Sequence, residues 1–287
     1  MPMSSAYCLI GHPLGHSLSP FIHKRLFELS GRDASYRLQD IAPESFERDI
    51  PALLRQIGGC NVTIPYKQKI LPFLDRIEGK AALYQTVNTV AVTESGTVGY
   101  NTDADGFLCA LREAAIPLEG RVLILGAGGA GTVLAFEAAL AGCRIVSYDP
   151  FAPEASVRLC NRLREAVPHV ECEAVTVLPD GAFDLLINAS PVGMYPHTDA
   201  CPLPDDRLAQ CAAVFDVIYN PTETQLIRRA KAMGKPAVGG AAMLVWQAVR
   251  AHEIWDGDTY TNEEVQGIIR ELEETVNRDF PVQEGSI

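Results

Sequence analysis

The sequence is poor in positive charge and has no long apolar run. Its 287 residues include 24 Lys and Arg against 36 Asp and Glu, which gives a formal net charge of -12. This balance argues against a broad surface for nucleic acid or for an anionic membrane. No apolar stretch approaches the roughly 20 residues that cross a bilayer, and the N-terminus lacks the basic and apolar regions of a signal peptide. We therefore expect a cytoplasmic protein with no nucleic-acid or membrane partner.

Cysteine is present but lacks the spacing of a metal or redox motif. The eight cysteines include no CxxC pair, and most of them lie in apolar segments. We interpret them as buried, reduced thiols, with metal binding or a disulfide as the alternatives. His12, His16 and His23 have no accompanying set of cysteines or carboxylates, so we expect no metal site.

The chain is rich in alternating strand-like and helix-like segments. Short apolar runs such as Arg121–Leu125 (RVLIL) and Phe183–Asn188 (FDLLIN) are typical of buried parallel strands, and helical patterns separate them. This alternation predicts an α/β fold in which a doubly wound parallel sheet follows an N-terminal α/β domain. The predicted domains are residues 1–104, completed by helices within 239–280, and residues 105–238, followed by a flexible tail at 281–287.

Smaller patterns predict individual elements. Ser19 and Pro20 are typical of an N-cap and the first helical position, and Pro43–Ile57 has a helical pattern. Cys60–Ile64 (CNVTI) is a predicted strand that ends at Pro65. The letters TESGT between two β-rich runs predict a hairpin, and TNEE at 261–264 predicts a capping box.

The segment LILGAGGAG is the strongest local motif. Gly126, Gly128 and Gly131 match G-x-G-x-x-G directly after a strand and before a helix, which is typical of dinucleotide binding. Gly129 and Ala130 complete the loop, whose backbone would approach a pyrophosphate at the helix N-terminus. Asp149 ends the next strand, where a carboxylate can bind both ribose hydroxyls of NAD. The alternatives are glycines that serve packing alone and an aspartate that caps a helix.

Several polar side chains stand out in the first third of the chain. The segment GHPLGHSLSPFIH at 11–23 has more hydroxyl and imidazole groups than a turn needs, which indicates a surface for a polar ligand. Strand alternation places Asn61 and Thr63 on one face, and Lys67 follows closely. Asn88 lies within an apolar strand, so it needs buried partners from the backbone or from a ligand. The alternatives are a strand whose polar face contacts solvent and an ordinary lysine at the surface.

Eight motifs occur in one order along the chain: GHPLGHSLSPFIH, NVTIPYK, TVNT, GYNTDADG, GAGGAG, NASPVGM, DVIYNP and MLVWQA. On these motifs the chain resembles the shikimate dehydrogenase family, from about residue 8 to about residue 275. The resemblance implies an N-terminal α/β domain that binds shikimate and a Rossmann domain that binds the dinucleotide. It also implies reversible hydride transfer between NAD(P)H and 3-dehydroshikimate, a step of aromatic amino acid biosynthesis.

The resemblance also implies roles for residues of this sequence. Lys67 and Asp103 match the catalytic pair of the family. The substrate positions match Ser17, Ser19, Thr63, Asn88, Tyr219 and Gln247. The cofactor positions match Gly126, Gly128, Gly129, Ala130, Gly131, Asn188, Ser190 and Gly240, and Asp149 is added to them from its place after the second strand.

One departure from the family pattern concerns the cofactor. The letters YDP, with Asp149, replace the Asn-Arg-Thr loop that the family uses, so we expect NAD to be favoured over NADP. NAD use in turn leaves open a catabolic quinate/shikimate dehydrogenase as an alternative. A non-catalytic dinucleotide-binding regulator is a second alternative, against which the intact Lys67 and Asp103 argue. We expect a monomer or a homodimer.

Overall fold

The structure is a computed structural model that describes residues 5–15 and 17–280. The predicted flexible tail at 281–287 lies outside the described residues. The chain forms two compact units. In the described part, unit 1 comprises residues 5–106 with Val245–Leu272, and unit 2 comprises Phe107–Leu244 with residues 273–280. None of the helices in the described part of the chain is both long and apolar enough to span a membrane.

Unit 1 is built on a mixed six-stranded sheet. Its strands are β1 (Ala6–Gly11), β2 (Ser35–Asp40), β3 (Gly59–Val62), β4 (Arg76–Ile77), β5 (Thr89–Thr93) and β6 (Gly96–Tyr100). The order is β2-β1-β3-β5-β6-β4, and β1 pairs in parallel with both β2 and β3. The antiparallel pairing of β5 with β6 confirms the predicted hairpin.

Helices alternate with the strands of this sheet along the chain. The helices of this part of the chain are α1 (Ser19–Ser30), α2 (Phe46–Leu54), a 3-10 turn (Leu71–Phe73), α3 (Ala81–Tyr84) and α4 (Asp103–Glu113). Helix α1 ends at Gly31, whose φ of 68° favours glycine. It begins one residue before the predicted start, with Leu18 at the N-cap and Ser19 within the helix. Pro51 lies inside α2, which is shorter than the predicted Pro43–Ile57.

Unit 2 contains a six-stranded sheet in which every pairing is parallel. Its strands are β7 (Arg121–Leu125), β8 (Arg144–Tyr148), β9 (Cys172–Val175), β10 (Phe183–Asn188), β11 (Cys211–Asp216) and β12 (Ala237–Val238). The order β12-β11-β10-β7-β8-β9 is the doubly wound Rossmann order. The predicted α/β class with a Rossmann-type sheet is therefore confirmed.

The helices of unit 2 follow its strands, and two long helices come after them in the chain. They are α5 (Gly129–Leu140), α6 (Pro153–Ala166), α7 (Asp205–Leu208), α8 (Gln225–Ala232), α9 (Ala241–Asp256) and α10 (Asn262–Asp279). The predicted capping box is confirmed, because Glu264 N donates to Thr261 Oγ1 while Thr261 N donates to the Glu264 carboxylate.

The structure corrects two expectations about local structure. Strand β3 ends at Val62, so Thr63 and Ile64 lie beyond it. Cys160 and Cys172 form a disulfide, so the prediction of reduced thiols is wrong for this pair. Helix α6 packs on β9 and brings their Cα atoms to 5.4 Å, a separation that a disulfide spans. The other six cysteines form no disulfide.

Candidate active site

In unit 1, a lysine and an aspartate form a close ion pair. Lys67 Nζ lies 2.5 Å from Asp103 Oδ2, and Asp103 is 3% exposed. Lys67 follows β3 and the Pro65 turn, and its carbonyl accepts from Val87 N, which fixes this loop beside the start of β5. Asp103 is the first residue of α4, where the positive end of the helix dipole favours a carboxylate.

Asn88 connects this pair to α9. Its amide nitrogen lies 2.9 Å from Asp103 Oδ1 and 3.2 Å from Gln247 Oε1. Its amide oxygen accepts from Thr102 N at 2.7 Å and from Thr89 Oγ1 at 3.1 Å. The structure therefore brings together four of the predicted site residues, which are Lys67, Asn88, Asp103 and Gln247, around a buried polar cluster.

The two predicted serines lie at the start of α1. Ser17 Oγ and Ser19 Oγ are 3.2 Å apart, and both serines are half-buried. A hydrogen bond also joins Ser19 to Tyr36, and Tyr36 in turn donates to Asn61 Oδ1 at 2.8 Å. The serines are thus connected through side chains to the same strand that precedes Lys67.

Thr63 lies directly after β3. Its amide donates to Ile10 O at 2.8 Å, and a Cβ on Gly11 would lie 2.5 Å from its methyl group. Thr63 is half-buried beside the loop that follows β1, and this loop leads to the two serines.

In unit 2, the glycine-rich loop has the form that the sequence predicts. Gly126 has a φ of 90°, and a Cβ at Gly131 would lie 2.1 Å from Gly126 O, so both positions require glycine. Ideal Cβ atoms on Gly128 and Gly129 would meet nothing within 4 Å. This open space at the N-terminus of α5, which has no acidic residue in its first turn, suits a bound pyrophosphate.

Asn188 and Ser190 lie at the carboxyl end of β10. Asn188 Oδ1 accepts from Ser190 Oγ at 2.7 Å, and Asn188 Nδ2 donates to Asp216 Oδ1 at 3.0 Å. Asp216 also accepts from Thr224 Oγ1 and from Ile218 N, and burial raises its pKa to about 6. These contacts hold the loops after β10 and β11, beside the point where the strand order of the sheet reverses.

Tyr219 and Gly240 lie close to these loops along the chain. Tyr219 is half-buried, and burial raises the pKa of its phenol. Gly240 N donates to Ile218 O at 2.9 Å, and a Cβ at this position would lie 2.1 Å from Val217 O. Gly240 therefore allows the backbone before α9 to pack against the loop after β11.

In the structure, the carboxylate of Asp149 binds backbone amides. Its Oδ1 accepts from Phe151 N and Ala152 N, and its Oδ2 accepts from Ala127 N. The carboxylate therefore holds its own turn and the glycine-rich loop. These contacts are those of the capping alternative.

Several residues of these clusters were absent from the predicted site. Tyr36, Thr89, Thr102, His252 and Asp216 contribute side-chain hydrogen bonds within their units. Thr89 and Thr102 flank predicted residues in TVNT and GYNT, so their position in the motifs was a usable signal. For Tyr36 and His252 the sequence carried no comparable signal.

Comparison with known proteins corrects the expected cofactor. A shikimate dehydrogenase (NADP(+)) of Methanothermobacter thermautotrophicus is 39% identical over 87% of this chain and 90% of that protein. A shikimate dehydrogenase in complex with NADP+ superposes with a TM-score of 0.85 at 34% identity, covering 93% of this chain and 95% of that one. The expectation that NAD is favoured over NADP is therefore wrong, and the backbone contacts of Asp149 explain why that residue was misleading.

The same similarity extends over both units. A shikimate 5-dehydrogenase of Thermus thermophilus, solved with NADP(H) and shikimate, superposes with a TM-score of 0.82 at 32% identity. This match covers 93% of this chain and 99% of that one. Residues 9–90 match the family described as the shikimate dehydrogenase substrate binding domain. With relatives this similar along almost their whole length, the chain belongs to the shikimate dehydrogenase family.

Proposed function

We propose that the protein catalyses reversible hydride transfer between NADP(H) and the substrate pair 3-dehydroshikimate and shikimate. In this proposal unit 1 binds the ring acid and unit 2 binds the dinucleotide. The observation that carries the proposal is the 2.5 Å ion pair of Lys67 and Asp103, beside the amide side chains of Asn88 and Gln247. A cation held in a polar, largely buried cluster suits a reaction in which negative charge develops on an oxygen.

Lys67 would act on the oxygen of the reacting carbon. Reduction of a ketone builds negative charge on that oxygen, and an ammonium stabilises this charge and supplies the proton. In the reverse direction the same amine accepts the proton of the hydroxyl. Asp103 fixes the position of Lys67 Nζ and, being acceptor-only, can take a hydrogen bond from a substrate hydroxyl.

Polar side chains of short reach would hold the ring. Ser17 and Ser19 present hydroxyl donors suited to a carboxylate, while Thr63, Asn88 and Gln247 are suited to ring hydroxyls. Tyr219 is a further proposed substrate-binding residue.

The glycine-rich loop and the N-terminus of α5 would hold the pyrophosphate of the dinucleotide. The open space over Gly128 and Gly129 fits this group. Asn188, Ser190 and Gly240 line the loops proposed for the nicotinamide end. When bound, NADPH supplies the hydride.

Steady-state kinetics of the purified protein test this proposal. Shikimate with NADP+ should give NADPH, and 3-dehydroshikimate with NADPH should give the reverse reaction. Parallel assays with quinate and with NAD+ measure how selective the substrate site and the cofactor site are. A folded protein that binds NADP+ but turns over neither member of the substrate pair would contradict the proposal.

A further inference from the structure

A line of buried polar side chains leads from the active-site cluster through unit 1 to α9. It comprises Asn88, Thr89, Asn61, His23 and His252, which we term the polar relay. Each of its members is at most 9% exposed. Buried polar groups require hydrogen-bond partners, so the direction of every bond in such a line is constrained.

Asn61 fixes the direction of the central bonds. Its Nδ2 lies 3.0 Å from Thr89 Oγ1 and 3.3 Å from Asn88 O, which uses both amide hydrogens. Its Oδ1 accepts from Tyr36 OH at 2.8 Å, and a further side-chain hydrogen bond joins Asn61 to His23. Because both hydrogens are engaged elsewhere, His23 must donate to Asn61 Oδ1.

The hydrogen bond between the two histidines runs in the same donor-to-acceptor direction. His23 Nδ1 lies 3.0 Å from His252 Nε2, so the nitrogen of His23 that donates to Asn61 is Nε2. His23 Nδ1 is then an acceptor, and His252 Nε2 is its donor. Tyr260 OH lies 2.9 Å from His252 Nδ1 and 3.2 Å from Leu26 O, and these two acceptors share its single hydrogen. These tautomers are assigned from the hydrogen-bond pattern.

The other end of the relay reaches the carboxylate. Thr89 Oγ1 accepts from Asn61 and donates to Asn88 Oδ1 at 3.1 Å. This contact and Thr102 N direct the oxygen of the Asn88 amide, so its nitrogen faces Asp103 Oδ1. Every bond from His252 to Asp103 therefore runs in one direction.

We propose that the polar relay makes Thr89, Asn61 and His23 positioning residues for the reaction. They set the orientation of the Asn88 amide, which with Lys67 determines the geometry of the Asp103 carboxylate. This inference rests on the proposed function, since the relay residues are proposed to position Lys67 and Asp103, the pair that transfers the proton in that function. Hydrogen bonds in a buried network strengthen one another, so a change two bonds away alters the pair.

Thr89→Val tests the relay, because valine keeps the shape of threonine but removes the hydroxyl. We expect kcat about tenfold lower, the equivalent of one lost hydrogen bond, with KM for shikimate little changed. The pH at which kcat is half-maximal should also move. Thr89→Ser should restore both quantities. Thr97→Val, on β6, removes a hydroxyl bonded to Asp75 and should leave both quantities unchanged.

A wild-type kcat and pH profile in a folded Thr89→Val protein would overturn the proposal. Should this variant not fold, His252→Leu and His252→Gln decide the matter. Leucine removes the donor to His23, whereas glutamine retains an amide donor, so only the leucine variant should lower kcat and move the profile. Equal profiles for the two would overturn the proposal. A wild-type protein without activity on shikimate and NADP+ would instead contradict the proposed function.

Discussion

Lys67 Nζ and Asp103 Oδ2 lie 2.5 Å apart, although 36 residues separate them in the sequence. The loop after β3 supplies the lysine, and the first turn of α4 supplies the aspartate. Asn88 Nδ2 donates to Asp103 Oδ1, the second carboxylate oxygen, at 2.9 Å. The carboxylate is therefore held at both oxygens, while 17% of the surface of the Lys67 side chain is exposed. A partly buried cation on a fixed carboxylate is the arrangement that the proposed proton transfer needs.

Replacing Lys67 with alanine should abolish most of the turnover. The loss of a general acid–base group lowers kcat by about 10²- to 10⁴-fold. NADP+ binding should be retained, because the glycine-rich loop belongs to unit 2. Steady-state kinetics and a fluorescence titration with NADPH measure the two effects. Lys69→Ala, a nearby exposed lysine, is the matched control and should behave like wild type.

A Lys67→Ala protein that retains turnover within tenfold of wild type would remove Lys67 from its proposed role. A wild-type protein that binds NADPH without any turnover would favour the alternative of a dinucleotide-binding regulator.

Replacing Asp149 with alanine should destabilise unit 2 without changing the choice between NADP+ and NAD+. The carboxylate accepts three backbone N–H groups, and loss of such a cap costs about 0.5–2 kcal/mol. Urea unfolding measures the loss, and the ratio of kcat/KM for the two cofactors measures selectivity. A large change in that ratio, with stability intact, would show that the carboxylate acts on the ribose after all.

The buried carboxylate of Asp216 should make the protein less stable as the pH rises. Burial raises its pKa from 3.8 to about 6. The stabilising contribution is thus fully present below about pH 3.8 and is lost as the pH rises through 6. The difference corresponds to about 3 kcal/mol. Urea unfolding of wild type and Asp216→Asn between about pH 4 and 7 should show wild type losing stability relative to the variant; parallel curves would contradict this assignment.

His252 should have the opposite effect on acid stability. Burial lowers its pKa from 6.5 to about 3, with a raising contribution from Asp258 and a smaller lowering one from Arg32. The folded protein holds the neutral ring, so stability is present above about pH 6.5 and is lost as the pH falls toward 3. Its partner His23, whose pKa burial also lowers, adds to this loss. His252→Gln should flatten the unfolding free energy across this range, and an unchanged slope would show that the imidazole takes up its proton while folded.

Local sequence patterns predicted the central strands of unit 2, but they could not predict contacts between residues that are distant in the sequence. Strands β7 and β10 have the predicted bounds, because continuous apolar runs between turn residues specify buried parallel strands. Strand β3 and helix α2 are shorter than predicted, since tertiary contacts determine where each ends. Lys67, Asn88, Asp103 and Gln247 were singled out in the sequence, and the fold brings them together.

The partners of buried side chains were harder to predict. The contact of His23 with His252 spans 229 residues, and no local pattern encodes it. Asp149 was misleading because its local sequence pattern fits two different roles. Its partners are amides of its own turn and of the neighbouring loop, and a carboxylate after a strand suits either those amides or a ribose. The roles assigned to individual site residues stay predictions.

The glycine-rich loop offers a test that separates packing from cofactor binding. A Cβ at Gly131 would lie 2.1 Å from Gly126 O, so Gly131→Ala should lower both the unfolding temperature and NADP+ affinity. A Cβ at Gly128 would meet nothing within 4 Å, and its φ of -75° is accessible to alanine, so Gly128→Ala should fold normally. If the pyrophosphate occupies this space, Gly128→Ala should weaken NADP+ binding about tenfold or more, because the methyl group blocks the approach of phosphate to the backbone. Thermal unfolding and a binding titration of the two variants provide the measurements. Wild-type affinity in Gly128→Ala would show that the dinucleotide does not approach the chain at the start of α5.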